Sequence, residues 1–173
     1  MRAFIAIDLT EEIRNYLKEV QSRISNGKLS LAKDFHLTLQ FLGEVEEEKI
    51  PQIKKTLNQI KFKKFKINLS KMGVFPSENY IRVVWVGLTP EEEVTRLQKE
   101  IDESLKEFPG DFKFHPHITL ARVKFIENKK EFLDKLKNIK IKQIEFEVNE
   151  FKLKRSTLTP EGPIYEDLGI FGH

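Results

Sequence analysis

The chain carries one pattern twice. Phe4-Ile-Ala-Ile-Asp-Leu-Thr10 is followed by two glutamates and an amphipathic run, and Val83-Val-Trp-Val-Gly-Leu-Thr89 is followed by Pro90, two glutamates and another such run. Leu9 and Leu88 are 79 positions apart, and the His-x-Thr-Leu segments at His36 and His117 are 81 apart. Phe65, Ile67 and Leu69 alternate as Ile144, Phe146 and Val148 do, again 79 positions on. Three landmarks at nearly one offset imply two halves of like architecture, about 1–79 and 80–173, within a single domain.

Periodicity supplies the elements of each half. Ile13, Leu17, Val20 and Ile24 form one helical stripe, and Val94, Leu97, Ile101 and Leu105 form its counterpart. Thr10 and Thr89 are expected as N-caps, the latter opening a capping box with proline in the first turn. A second helix follows in each half, marked by Ile50, Ile53 and Leu57 and by Phe132 and Leu136. Short segments rich in Val, Ile and Phe between them read as strands. The expected fold is α+β and bilobal. Each lobe is an antiparallel sheet with helices on its outer face, and a cleft lies between the lobes.

Composition narrows the chemistry. The 173 residues contain no cysteine, which removes disulfides, thiolate zinc sites and cysteine nucleophiles. No stretch approaches the roughly 20 apolar residues of a membrane span, and the first strand is too short for a signal peptide. A cytoplasmic monomer is expected. The net charge of +3 is compatible with a local phosphate site but does not argue for a coat of nucleic acid.

The two His-x-Thr strands carry the chemistry. In Phe35-His-Leu-Thr-Leu-Gln-Phe41, strict alternation sends Phe35, Leu37, Leu39 and Phe41 to the core and His36, Thr38 and Gln40 to the opposite face. In the second strand Ile118 and Leu120 are core, while His115, His117, Thr119 and Ala121 face away. Each half thus presents an imidazole and a hydroxyl. One imidazole accepts a proton while another donates one, as in-line displacement at phosphorus requires, and threonine hydroxyls suit non-bridging oxygens. A zinc site from His36, His115 and His117 is the rival reading, but no carboxylate or helical histidine pair completes it.

With these motifs the chain resembles the two-histidine phosphoesterase superfamily, in its RNA 2′,3′-cyclic phosphodiesterase branch, historically called 2′-5′ RNA ligase. The matching segments are Arg2-Ala-Phe-Ile-Ala-Ile-Asp8, His36-Leu-Thr-Leu-Gln-Phe-Leu-Gly43, Gly73-Val-Phe-Pro76 with Arg82-Val-Val-Trp-Val-Gly87, Pro116-His-Ile-Thr-Leu-Ala-Arg122, and Ser156 with Gly162-Pro-Ile-Tyr165. The family commonly carries a tryptophan and an arginine–proline turn before its first motif, where this chain has Leu29-Ser-Leu-Ala-Lys-Asp34.

The resemblance implies opening of a 2′,3′-cyclic phosphate at an RNA 3′ end to a 2′-phosphomonoester, without metal or cofactor. It implies His36 as proton donor and His117 as acceptor, with Thr38 and Thr119 on the phosphate. It also implies a reverse, ATP-independent 2′-5′ joining reaction. Arg122 is implied as a phosphate contact, although strict alternation puts it on the core face unless the strand bulges. Arg82 and Tyr165 are further candidates for substrate contact, Tyr165 by stacking on a base. Trp85 is expected in the core. Two other readings stand beside this one: a factor that binds or joins tRNA ends, and a phosphodiesterase of a small cyclic nucleotide.

Overall fold

A computed structural model describes residues 1–110 and 113–172. One antiparallel sheet contains β1 (Arg2–Asp8), β3 (His36–Glu44), β8 (Phe151–Thr159) and β9 (Gly162–Phe171), in the order β3-β1-β8-β9. The other contains β2 (Lys28–Leu31), β4 (Phe65–Ser77), β5 (Tyr80–Thr89), β6 (His117–Phe125) and β7 (Glu145–Val148), in the order β2-β6-β5-β4-β7. The helices are α1 (Glu11–Ser22), α2 (Ile50–Leu57), α3 (Glu92–Ser104) and α4 (Lys129–Asn138). The α+β class and the two antiparallel sheets agree with expectation.

The sheets do not coincide with the contiguous halves. β4 comes from the first half but pairs with β5 of the second, and β8 comes from the second half but pairs with β1. The exchange interleaves the two halves. It also gives one shared core: Ile13, Leu17 and Val20 of α1 and Val94, Leu97 and Ile101 of α3 pack with Ile5, Leu37, Val86 and Ile118 from both sheets. Burying each such side chain contributes about 1.5–3 kcal/mol. A smaller cluster of Ile81, Val84, Val123, Phe132 and Leu136 seats α4.

The helix starts differ from each other. Thr10 caps α1, its hydroxyl accepting from the Ile13 amide at 3.3 Å. Thr89 does not cap α3, which begins after Glu91 with no side-chain cap. Thr89 is instead spent as the last residue of β5, opposite Asn68. Among the described residues no helix is long and apolar enough to cross a membrane.

Candidate active site

β3 and β6 repeat one another residue by residue, with the same order of buried and exposed positions over nine residues. Asp8 lies opposite His36, Ala6 opposite Thr38 and Phe4 opposite Phe41. At the same register Gly87 lies opposite His117, Trp85 opposite Thr119 and Val83 opposite Arg122. β3 and β6 also pack against each other between the sheets, which brings the two motifs to one place.

Both strands bulge, and this corrects the strict alternation. Ile5 pairs with Gln40 and Ala6 with Thr38, which leaves Leu39 without a partner. Val84 pairs with Ala121 and Trp85 with Thr119, which leaves out Leu120. An extra residue exchanges the faces of all that follow it. Gln40, expected beside Thr38, is therefore buried, and so is Ala121. Phe41, expected in the core, is 61% exposed. Arg122 returns to the side of His117 and Thr119.

The two imidazoles are held differently. His117 Nδ1–H donates to the His115 carbonyl at 2.7 Å, so its Nε2 is the free nitrogen. Its ring meets Phe75 edge-on at 4.8 Å, and Trp85 at 6.2 Å. His36 stands against Phe4 and Tyr165, each with ring centroid 5.1 Å away. His36 Nδ1 is buried and has no hydrogen-bond partner among the described residues.

Burial lowers the proton affinity of both rings below that of a free imidazole. For His36, Asp34 and Asp8 oppose that change, while Lys154 and the charge of His117 add to it. For His117 the bond to His115 opposes it, while His115 and Arg122 add to it. Arg122 and Lys154 are also felt at Tyr165, whose phenol burial pushes up.

Trp85 is not a core residue. It lies flat on β4 over Gly73, where an added Cβ would fall 2.3 Å from its ring, and it packs on Phe75 and His115. Sequence reasoning missed a ring of four charges on the His36 side. Lys152 bridges Asp8 and Asp167 at 2.7 and 2.9 Å, and Lys154 bridges the same two carboxylates at 2.8 Å each. The two-residue spacing of Lys152 and Lys154 on one strand was the available signal. Arg82 is tied to Tyr80, donating to its hydroxyl at 3.0 Å, and none of its described contacts is with a motif residue. Among the described residues no three His, Asp or Glu side chains are grouped to hold a metal ion.

A family model described as LigT-like phosphoesterase matches residues 7–85 and again 86–165. A Methanocaldococcus jannaschii protein named RNA 2′,3′-cyclic phosphodiesterase is 42% identical, the match covering 96% of this chain and 97% of that one. The crystal structure of Thermus thermophilus TT0787 superposes with a TM-score of 0.82 at 32% identity, covering 99% and 97%. That of Escherichia coli LigT complexed with 3′-AMP does so with a TM-score of 0.78 at 28% identity, covering 98% and 96%. Two exchanged sheets with paired His-x-Thr strands define a two-histidine phosphoesterase. The chain belongs to the LigT-like phosphoesterase family.

Proposed function

We propose that this protein hydrolyses the 2′,3′-cyclic phosphate at an RNA 3′ end, leaving a 2′-phosphomonoester. The observation that carries the reading is the unequal anchoring of two histidines at equivalent register. When His117 takes a proton on Nε2, its Nδ1–H already has an acceptor in the His115 carbonyl. Among the described residues nothing bonds the buried His36 Nδ1, so no hydrogen bond offsets the cost of burying its charged form, as the bond to His115 does for His117. His117 is then the base and His36 the acid.

In this reading His117 removes the proton from an attacking water, the water oxygen bonds to phosphorus, the P–O3′ bond breaks, and His36 protonates O3′. One water is consumed and no metal enters a step. Thr38 and Thr119 hold the non-bridging oxygens, and Arg122 offsets the growing charge. Tyr165 borders the nucleoside. The names of the relatives and the 3′-AMP complex of Escherichia coli LigT support an RNA-derived substrate.

The test is an RNA ending in 2′,3′-cyclic phosphate, incubated with the protein in chelator. The expected product is a 2′-phosphate that His36→Ala and His117→Ala fail to make, each typically losing about 10²–10⁴-fold. Full activity in either variant, or loss in chelator, would overturn the reading.

A further inference from the structure

Among the described residues the two sheets share no hydrogen-bonded ladder. The distance between His36 and His117, which an in-line displacement requires to be held, therefore depends on groups that cross between the sheets. Two such crossings involve buried glutamines.

Gln21 projects from α1 and is 8% exposed. Its Nε2 donates to the Leu120 carbonyl at 2.7 Å and to the Ala32 carbonyl at 2.9 Å. Leu120 is the bulged residue of β6, between Thr119 and the segment that re-aims Arg122. Ala32 begins the connection into His36. The Ala32 amide also donates to the Leu120 carbonyl, at 2.9 Å. One side-chain amide thus fastens the approach to the first motif onto the bulge of the second.

The reverse crossing mirrors it. Gln40 follows the bulged Leu39 of β3 and is 3% exposed. Its Nε2 donates at 2.5 Å to the carbonyl of Phe108, in the connection from α3 to the second motif. Asp102 of α3 accepts from the Gly110 amide at 2.7 Å in the same connection. Asp102 follows Gln21 by 81 positions, the spacing that separates the two histidines. The helices cross in the same sense, α1 packing on β6 and α3 on β3.

We infer that Gln21 and Gln40 are positioning residues for the reaction, each clamping the approach to one catalytic histidine onto the bulge of the opposite motif strand. A hydrocarbon of the same volume would fill either site. A buried amide, bonded to two carbonyls at Gln21 and to one at Gln40, instead selects one arrangement of the strands that it joins. The inference rests on the proposed acid–base reaction, and it concerns what holds the pair rather than what the pair does.

Gln21→Met and Gln40→Met remove the amides and keep the bulk. The probe is a 2′,3′-cyclic mononucleotide, which presents the reacting phosphate without the rest of an RNA. In folded protein each variant is expected to lose roughly tenfold or more in kcat, with KM within about twofold, as small misplacement of reacting groups does. The double variant should lose less than the product of the single losses, because both side chains set one spacing. Imidazole NMR signals give a readout free of turnover: Gln21→Met should move those of both His36 and His117, although it touches neither. Wild-type kcat in either folded variant, or unmoved imidazole signals in both, overturns the inference. If Gln21→Met does not fold, Gln40→Met carries the test from the other side. A wild-type protein inactive on cyclic phosphates would defeat the proposed function and leave the NMR test standing.

Discussion

Asp8 lies directly opposite His36 in the β1–β3 ladder, and both oxygens of its carboxylate are held by lysines, Oδ1 by Lys154 and Oδ2 by Lys152. The equivalent neighbours of His117 carry no charge. Where one sheet has Lys152 opposite Ala6 and Lys154 opposite Phe4, the other has Gly73 opposite Trp85 and Phe75 opposite Val83. The scaffold packs either way, so the charges are a feature of the His36 side alone. Asp8 favours the protonated imidazole and Lys154 disfavours it. In an NMR titration, Asp8→Asn is expected to move the His36 midpoint to lower pH and Lys154→Met to higher pH, with His117 little changed. Shifts of the same sign would refute the arrangement.

The ring also bears on stability. Lys154 is 5% exposed, while the two carboxylates that it bridges are open to water. Removing it alone leaves them with Lys152 only. Lys154→Met is expected to cost about 2 kcal/mol, less than for a fully buried pair because water still reaches Asp8 and Asp167. Burial alone would raise both aspartates, but the two ammonium groups hold them below the usual carboxylate range. The unfolded chain therefore binds protons first as pH falls, and the contribution of the ring is present above about pH 4 and lost below it. Urea midpoints at pH 7 and pH 3 for wild type and Lys154→Met measure this. The gap between them should narrow at the lower pH.

Much of this molecule is legible from residue spacing. The duplicated pattern carries the two motif strands and the amphipathic helices, because apolar periodicity is a local property. Three things are not legible there. Pairing of β4 with β5 and of β8 with β1 is a choice between partners that local pattern does not make. The bulges at Leu39 and Leu120 leave no mark in residue type, since leucine suits either face, so Gln40 and Phe41 were expected on each other's sides. Trp85 reads as core from its apolar strand, and only its place over Gly73 turns it toward His115 and His117.

Asp34 is a handle on the pH profile that touches no element of the proposed chemistry. Burial lowers His36 and His117 below the ordinary value near 6.5, and among nearby charges Asp34 does most to raise His36. Activity needs neutral His117 and protonated His36, so kcat/KM falls on either side of the pH at which that pair is most populated, and one limb follows His36. In Asp34→Asn the limb that follows His36 should move to lower pH while the other stays. A profile in which neither limb moves would mean that His36 takes no part in the proton transfer.

Gly73 is the floor under the only tryptophan in the chain. Gly73→Ala would place a methyl inside the van der Waals envelope of the indole, so Trp85 must leave the position from which it packs on Phe75 and His115 and borders His117. Overpacking of this kind costs roughly 1–3 kcal/mol. Because there is one tryptophan, its emission reports the displacement directly. The wild-type signal should change with pH as the neighbouring His117 takes up a proton, and in Gly73→Ala that dependence should weaken along with activity on a cyclic phosphate. Retained activity together with an unaltered emission titration would show that the strand yields to the methyl instead, and that the position of Trp85 over Gly73 is not required by the site.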